Sequence, residues 1–465
     1  MLNRRNFIKG VGSVWALSVC GQSIAASEKK LRIALIGCGW QGRTHLPDAC
    51  TEKVVALVDP DSTMIESAFA KIKETAPETD LGKIRTFSDY RKLYDDMGKE
   101  LDAVIIATPN HHHGLAAILA ARLGIHVYVE KPLTLTIEEA RQLTEEVNRN
   151  GVVSQLGHHG HSCEGVRRLC EYIWAGAIGQ VRQVYCWSDR ANGLPGGGRP
   201  ATVPVPDDLD WDNWIGPAPF RDFHPELHPH AWHRWCDFGN GSIGNMGTHI
   251  IDPAYWSLKL QSPVSVQVED MRGGSDEYYS VGTRIRWDFP AREGMDPVEL
   301  YWYDGLAEGQ TYNKDTVRGI DLVTREAQNR PPIVDELEKK YNRNFGGNGS
   351  IFVGDKGYIN IGPFGEGFRI VPEEAHRAFS PPPKTLPRIK GTHQQDFLQA
   401  CHNGTQACAN FNYSLPLSEI VLLGDVAMRA GAGKLVEWDG SGMRCTNLPE
   451  ANKYLKTTYR EGWSI

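Results

Sequence analysis

Three absences narrow the classes of protein that this sequence can encode. No block of basic residues stands out and the formal net charge is −7, so nucleic acid is not an expected partner. The uncharged stretch at 10–21 is too short and too rich in Gly and Ser to span a bilayer stably, so no membrane span is expected. No C-x-x-C pair occurs, which makes reduced, structural cysteines the default and argues against a metal or redox use of them.

The size and composition indicate an ordinary globular protein. A chain of 465 residues exceeds what one hydrophobic core usually supports, so two domains are expected. Hydrophobic residues make up 41% of the chain and charged residues 23%, which is neither a disordered nor a fibrous composition.

The first 26 residues have the order of features typical of an export signal. Asn3–Lys9 contains a twin arginine, the apolar stretch follows, and the small residues at 23–26 suit signal peptidase. This pattern predicts a twin-arginine signal peptide at 1–26 and a periplasmic protein, against the alternative of a weakly apolar tail. Lipid anchoring through Cys20 is disfavoured, because the bulky Val19 stands where a small residue is expected.

From residue 31 to 156 the chain alternates buried strands with amphipathic helices. Such alternation predicts an α/β domain with a doubly wound parallel sheet, and Asp61 and Thr136 stand where helix N-caps are expected. The predicted strands are Leu31–Ile36, Val54–Val58, Ala103–Ala107 and His126–Val129. The predicted helices lie near 61–75, 88–97, 112–123 and 137–149.

The character of the chain changes after residue 157. Strand-like runs follow without regular helices between them, so residues 157–440 are predicted to form an α+β domain with a large, mostly antiparallel open sheet. A surface insertion is predicted at 307–349, and the chain from Val436 through the tail at 441–465 is predicted to be irregular. The expected strands are Val181–Trp187, Val264–Val268, Tyr279–Trp287 and Val298–Tyr303, and the expected helices are His393–Cys401 and Leu417–Arg429.

A glycine-rich turn follows the first predicted strand and opens a helix. Gly37 permits a tight turn, Gly39 lets the backbone approach a pyrophosphate, and Gly42 lets helix and strand pack closely. Asp59, at the end of the second strand, is placed to bind ribose hydroxyls and to repel a 2′-phosphate, which favours NAD over NADP. The alternative is a purely structural turn. The predicted cofactor contacts in the turn are Gly37, Gly39, Trp40, Gln41 and Gly42.

Two further segments follow the carboxyl ends of predicted strands, where open α/β sheets bind ligands. The first supplies Thr108, Pro109, Asn110 and His113, and the second supplies Glu130 and Lys131. With the glycine turn, they complete the predicted cofactor site.

This combination resembles the glucose–fructose oxidoreductase/inositol dehydrogenase/MocA family, whose Glu-Lys-Pro signature stands here at Glu130–Pro132. The resemblance extends across nearly the whole mature chain. It implies a nicotinamide-dependent oxidoreductase with a carbohydrate substrate, assembled as a homo-oligomer, a dimer or a tetramer. The other matching segments are Gly176–Gly179, Leu209–Pro217, Gly244–Asp252 and Met443–Asn447, of which the Trp-rich second and the last look like an exported subgroup.

The resemblance also implies three catalytic positions. Lys131 corresponds to the lysine that contacts the substrate hydroxyl, and its charge can stabilise a developing alkoxide. In the family's dehydrogenases an Asp and a His four residues later form the acid/base unit. Here His249 is present but Asn245 replaces the Asp, and an amide can neither take a proton nor raise the basicity of its neighbour by charge.

Histidine and tryptophan are concentrated in two places. His158, His159 and His161 follow the last Rossmann strand, where the domains should meet. The loop at 224–233 carries four histidines together with Trp232, and it is interpreted as part of a sugar cleft, with a structural loop or a metal site as alternatives. No metal residues are assigned. The predicted substrate contacts are His158, His159, His161, Arg190, Trp232 and His233.

Three functions remain open from the sequence alone. The first is a nicotinamide-dependent oxidoreductase acting on a sugar, polyol or glycoside with a tightly bound cofactor. The second is a redox-neutral glycoside-cleaving enzyme, in which the cofactor is reduced and reoxidised in place. The third is a sugar-binding homologue that has lost the chemistry, which Asn245 permits and the intact Lys131 and His249 oppose.

Overall fold

A computed structural model of the chain describes residues 29–311, 316–317 and 320–464. The predicted signal peptide at 1–26, with Cys20, lies outside the described residues. Within the described part of the chain, no helix is both long and apolar enough to cross a membrane. All nine cysteines in the described part are free thiols, and six of them are buried.

The first sheet is parallel and has six strands in the order β3-β2-β1-β4-β5-β6. All four predicted strands are present, which confirms the doubly wound α/β architecture. The strands are β1 (Arg32–Ile36), β2 (Lys53–Val58), β3 (Arg85–Phe87), β4 (Ala103–Ile106), β5 (His126–Val129) and β6 (Ser154–Leu156).

Five helices cover this sheet, and their starts follow capping chemistry. The side chain of Asp61 accepts a hydrogen bond from the Thr63 N–H at 2.9 Å, and Thr136 forms a capping box with Glu139. The helices are α1 (Trp40–Ala49), α2 (Ser62–Thr75), α3 (Tyr90–Met97), α4 (Asn110–Arg122) and α5 (Ile137–Asn150).

The second sheet has nine strands in the order β15-β14-β13-β7-β10-β9-β8-β16-β17. Its pairs are antiparallel except β7 with β10, so the expected mostly antiparallel sheet is confirmed. A separate two-stranded ribbon joins β11 to β12. The strands are β7 (Val181–Ser188), β8 (Ser265–Gly273), β9 (Ser280–Phe289), β10 (Val298–Gly305), β11 (Thr316–Val317), β12 (Ile320–Asp321), β13 (Gly349–Gly354), β14 (Gly357–Ile361), β15 (Arg369–Val371), β16 (Leu435–Asp439) and β17 (Arg444–Cys445).

Helices pack on both faces of this sheet. Trp287 and Trp302 of the sheet are fully buried in a core shared with Val421. The helices of this half are α6 (Glu164–Trp174), α7 (Trp211–Ile215), α8 (Thr248–Ser257), α9 (Pro332–Tyr341), α10 (Glu373–Ala378), α11 (His393–Asn403) and α12 (Phe411–Ala430). Short 3₁₀ or π turns lie at Leu81–Lys83, His159–Ser162, Ala231–Arg234, Ile243–Gly247 and Pro449–Leu455.

Two sequence predictions are corrected here. The tail is not irregular from Val436: β16 extends the second sheet, and Val436 pairs with Val266 and is buried. The alternation of exposed and buried side chains along β16 is a strand pattern, but it is only five residues long. Residues 307–349 are not wholly a surface insertion, because Val334 and Phe345 pack in a buried cluster with Trp187 of β7.

Candidate active site

A cleft runs along the carboxyl ends of the parallel strands and continues to the second half of the chain. One end is lined by the glycine turn, and the other by side chains from α8 and the loop before it. Ligands of open α/β sheets bind at this edge, so the cavity unites the predicted cofactor and substrate sites.

Of the three glycines in the turn, only Gly39 has free space beside its Cα atom, and that space faces the cavity. A Cβ on Gly37 would lie 2.5 Å from the Ala107 carbonyl oxygen, and one on Gly42 would lie 1.9 Å from the Gly37 carbonyl oxygen. A Cβ on Gly39 would meet nothing within 4 Å, although Gly39 lines the cavity. The space above Gly39 at the start of α1 therefore fits a pyrophosphate.

Asp59 lies beside the turn and is held by backbone donors. Its carboxylate accepts hydrogen bonds from the Cys38 N–H at 2.7 Å and the Asp61 N–H at 3.0 Å. Burial raises the pKa of Asp59 to about 6, although these two bonds oppose the shift. Each carboxylate oxygen can accept a second hydrogen bond, so Asp59 retains acceptors for ribose hydroxyls.

The adenosine end of the cavity is covered from the second half of the chain. His228 Nε2 lies 2.6 Å from a carboxylate oxygen of Asp61, which caps α2. Trp463 lines the same end, with the Arg91 guanidinium 3.5 Å from its ring centroid. Trp463 was not predicted from the sequence, whereas His228 belongs to the loop at 224–233 that was interpreted as part of a sugar cleft. Both residues narrow the exit from the cofactor site.

The segment after β4 contributes a buried polar wall. The Thr108 hydroxyl is buried and has no hydrogen-bond partner among the described residues, so it is available to a bound ligand. Asn110 donates its side-chain amide to Asn240 at 3.0 Å. His113 has one ring nitrogen 2.8 Å from the Pro132 carbonyl oxygen and the other 2.9 Å from that of Thr108. His113 thus holds the wall together with both ring nitrogens engaged. Its ring also lines the cavity, so its contact with a cofactor stays a prediction.

Glu130 is a buried anchor. Its carboxylate accepts a hydrogen bond from Gln41 Nε2 at 3.0 Å and lies 3.1 Å from His45 Nε2. Burial opposes ionisation, but the bond to His45 and the charge of Lys131 outweigh it and lower the pKa of Glu130 to about 2. Glu130 and Gln41, both predicted as cofactor contacts, are therefore partners of each other on the cavity wall.

Lys131 and His249 meet at the reacting end of the cavity. Burial lowers the pKa of Lys131, and the adjacent carboxylate of Glu130 opposes the shift. Burial and the charge of Lys131 lower the pKa of His249 well below its usual value, so His249 is neutral near pH 7. Its Nδ1 is buried without a hydrogen-bond partner among the described residues. A neutral imidazole beside an ammonium can accept a proton while the ammonium stabilises negative charge.

Asn245 lines the same cavity, but its partner is not His249. The Asn245 amide nitrogen lies 3.4 Å from His233 Nε2. The chain over Ile243–Gly247 is a π-helical turn, a distortion frequent at functional sites, and α8 begins directly after it. The sequence spacing of four predicted one regular helical turn between Asn245 and His249, and the structure corrects this geometry.

The predicted substrate residues divide into two groups. His159, Arg190, Trp232 and His233 line the cavity. His158 and His161 do not, because both point into the protein interior towards Asp252. His158 precedes a short 3₁₀ turn that contains His159 and His161. With three residues per turn, His158 and His161 lie on one side of the turn and His159 lies on another.

The loop at 224–233 is likewise only partly a cleft wall. His228, His230, Trp232 and His233 line the cavity, and the ring centroids of Trp232 and His233 are 3.6 Å apart. His224 packs on Trp235 instead, outside the cavity. Its four histidines do not form a metal cluster among the described residues.

Several lining residues escaped the sequence analysis. Phe364, between β14 and β15, lies 4.9 Å from the His159 ring and 5.0 Å from the His249 ring, centroid to centroid. No local motif marks it. Trp214 had a signal, because it belongs to the Trp-rich segment Leu209–Pro217, which was read as a family feature and not as a wall of the cofactor site.

Comparison with known proteins defines the family to which this chain belongs. Residues 31–158 match a family model described as an oxidoreductase family with an NAD-binding Rossmann fold, and residues 187–295 match the model of its C-terminal alpha/beta domain. The chain belongs to this family, Gfo/Idh/MocA. The resemblance drawn from Glu130–Pro132 and the glycine turn is confirmed.

Individual relatives are similar over part of their length. A levoglucosan dehydrogenase of Pseudarthrobacter phenanthrenivorans is 30% identical over 255 residues, covering 51% of this chain and 53% of that protein. A 2,7-anhydro-N-acetylneuraminate hydratase of Mediterraneibacter gnavus is 29% identical over 165 residues, covering 35% and 40%. The similarity thus covers about half or less of the length of these two relatives.

Solved structures share the fold. An inositol dehydrogenase homolog from Azotobacter vinelandii, complexed with NADH and myo-inositol, has a TM-score of 0.55. The similarity covers 88% of this chain and 98% of that one at 15% identity, so it concerns the fold alone.

Proposed function

We propose that this protein is an NAD-dependent oxidoreductase that oxidises a hydroxyl group of a sugar, polyol or glycoside. The observation that carries the proposal is the position of Lys131 and His249 in one cavity with the glycine turn. The family and the dehydrogenase relative agree with this reaction class.

The chain's own residues account for the proton and the charge in this reaction. When bound, a nicotinamide supplies the hydride acceptor. His249, neutral because of burial and the Lys131 charge, takes the hydroxyl proton. Lys131 stabilises the alkoxide charge that develops as the C–H bond weakens, in a buried environment where such stabilisation is strong. His233 and Arg190 line the same end and can bind neighbouring hydroxyls.

Tight retention of the cofactor is part of the proposal. His228 on Asp61 and Trp463 against Arg91 cover the adenosine end, so release requires these contacts to open. The acidic Asp59 supports NAD over NADP, because a 2′-phosphate would meet its carboxylate.

The test combines cofactor analysis with a sugar panel. Mass spectrometry of the molecule released on denaturation should identify NAD. A substrate should reduce at most one bound NAD per chain, and further turnover should form NADH in proportion only when NAD is added in excess and exchanges with it. Lys131→Met should lower kcat/KM by about 10²–10³-fold, the cost of removing one charge-stabilising donor. Lys92→Met, at a lysine of α3 whose side chain is 71% exposed, is the matched control and should leave kcat/KM unchanged. Full activity in Lys131→Met would refute the assignment.

A second candidate is redox-neutral cleavage of a glycoside. The cavity holds neutral imidazoles in addition to His249, since burial lowers the pKa values of His159, His230 and His233. Cleavage by elimination needs a second base, to remove the proton on the carbon beside the transiently oxidised one. The relative from Mediterraneibacter gnavus is named a hydratase, and hydration is not a net oxidation.

A nitrophenyl glycoside separates the two candidates. Redox-neutral cleavage releases nitrophenol with no net change in reduced-cofactor absorbance, whereas an oxidoreductase changes that absorbance in proportion to turnover. A sugar-binding homologue without chemistry does neither, yet still binds sugar in calorimetry.

We also propose that the protein is exported by the twin-arginine route with its cofactor already bound, and that it assembles as a homo-oligomer. The pattern at 1–26 supports export, because that route carries folded proteins. Replacing both Arg4 and Arg5 by Lys should retain the protein in the cytoplasm, as fractionation would show. Light scattering of the purified protein measures the assembly, and a monomer would contradict the oligomer.

A further inference from the structure

A cluster of ligating side chains lies next to the cavity but outside it. His158 and His161 come from the segment after β6, and Asp252 comes from α8. His161 Nδ1 lies 3.0 Å from one carboxylate oxygen of Asp252, and His158 Nε2 lies 3.5 Å from the other. All three side chains are buried.

His158 is anomalous for a buried histidine. Neither of its ring nitrogens has a hydrogen-bond partner among the described residues, and its side chain is fully buried. The 3.5 Å approach to Asp252 does not have hydrogen-bond geometry. A buried polar group without a partner costs free energy, and an unplaced ion is one of its standard explanations.

The charges within the cluster also favour a bound cation. Asp252 accepts a hydrogen bond from the Tyr413 hydroxyl at 2.6 Å. Among the described residues its ion-pair partners are two histidines, and no Arg or Lys pairs with it. A buried carboxylate is stable when it is paired or bound to a metal.

We propose that His158, His161 and Asp252 bind a divalent transition-metal ion of the zinc type. Ligand bonds of about 2.1 Å place two ligand atoms roughly 3.0–3.4 Å apart, depending on the angle between them. One carboxylate oxygen of Asp252 lies 3.2 Å from His161 Nδ1 and 3.5 Å from His158 Nε2, which is close to this spacing. Two imidazoles and one carboxylate favour zinc or a similar ion over magnesium or calcium, which prefer oxygen ligands.

The ion would fix two residues of the active site. His159 lies between the two histidine ligands in sequence and faces the cavity. His249 stands three residues before Asp252 on α8, and the rings of His159 and His249 are 5.4 Å apart. Metal binding would therefore hold both cavity histidines in place from behind, as a structural ion with no contact to substrate. The site stands on its own geometry and does not depend on the proposed oxidation chemistry.

The experiment measures metal content directly. The full-length protein, purified without added metal, is dialysed against a chelator and then titrated with Zn²⁺ or Co²⁺. We expect about one ion per chain by elemental analysis, a visible Co²⁺ absorption band, and a higher Tm with Zn²⁺ than after chelation.

Variants assign the ion to the cluster. His158→Gln and Asp252→Asn should each lower the Zn²⁺ affinity at least about tenfold and abolish the Co²⁺ band. His224→Gln is the matched control, because His224 is also buried with both nitrogens unpartnered but belongs to no cluster of three ligating side chains in the described part of the chain. It should keep the ion.

Three outcomes would overturn the proposal. They are a wild-type protein that neither carries nor takes up Zn²⁺ or Co²⁺, cluster variants that bind like the wild type, and loss of the ion in His224→Gln. If the cluster variants do not fold, the wild-type titration decides: a Tm that does not respond to Zn²⁺ means that the cluster is a hydrogen-bond network only.

Discussion

Substituting alanine at two glycines of the same turn should separate cofactor binding from folding. Gly39 has φ −62° and ψ −169°, a conformation open to alanine, and its Cβ would meet no protein atom within 4 Å. At Gly42 the Cβ would lie 1.9 Å from a backbone carbonyl oxygen, which cannot move without displacing the turn. Gly39→Ala should therefore fold normally, whereas Gly42→Ala should not.

The magnitudes follow from what each methyl group displaces. At a compatible position Gly→Ala changes stability by about 0.4–1 kcal/mol in the favourable direction. A methyl above Gly39 would hold the pyrophosphate away from the backbone N–H groups, at about 1.5–3 kcal/mol for one charge-assisted hydrogen bond. Since 1.4 kcal/mol is tenfold, the Kd for NAD should rise roughly 10- to 150-fold.

The assay pairs thermal unfolding of the cofactor-free variants with calorimetric titration by NAD. Gly39→Ala should keep or raise the Tm and lose affinity, and Gly42→Ala should lower the Tm and lose the cofactor as a consequence. A Gly39→Ala protein that binds NAD as tightly as the wild type would refute a pyrophosphate at this position.

Three further substitutions test other parts of the cavity. Asn245→Asp should preserve turnover or raise it up to about tenfold, because a carboxylate in the cavity raises the basicity of the imidazoles there, His233 next to residue 245 and His249 farther along; a collapse of kcat would show that the amide has its own role. In the wild type, the affinity for NAD should fall as the pH drops through about 6, because protonation removes a hydrogen-bond acceptor from Asp59. Calorimetry of the Asp59→Asn variant should show no such fall. Trp463→Ala should lower the free energy of unfolding by about 3 kcal/mol and reduce the NAD retained per chain, whereas unchanged retention would show that Trp463 does not cover the cofactor.

The fold was predictable where the local pattern and the buried environment agree. The buried strands near Leu35 and Ile105 and the cap at Asp61 carry their own signals, and the glycine turn places the cofactor. The strand β16 was missed because its alternating pattern is short and lies in a polar tail.

The candidate site was predictable in residue type but not in orientation. Sequence proximity suggested that His158 and His161 face the same cavity as His159, but the 3₁₀ turn places these two on the side opposite to His159. Phe364 and Trp463 reach the cavity only through tertiary packing, which no local motif encodes. The π-helical turn before His249 also depends on the surrounding core and has no sequence signature.

The segment at 211–233, which begins with α7, borders both ends of the cavity: Trp214 and His228 lie at the adenosine end, and Trp232 and His233 lie at the reacting end. A change in the position of this segment caused by one ligand therefore changes the affinity for the other ligand. Such coupling is reciprocal, so a sugar that tightens NAD binding by some factor must itself be bound more tightly by that same factor when NAD is present.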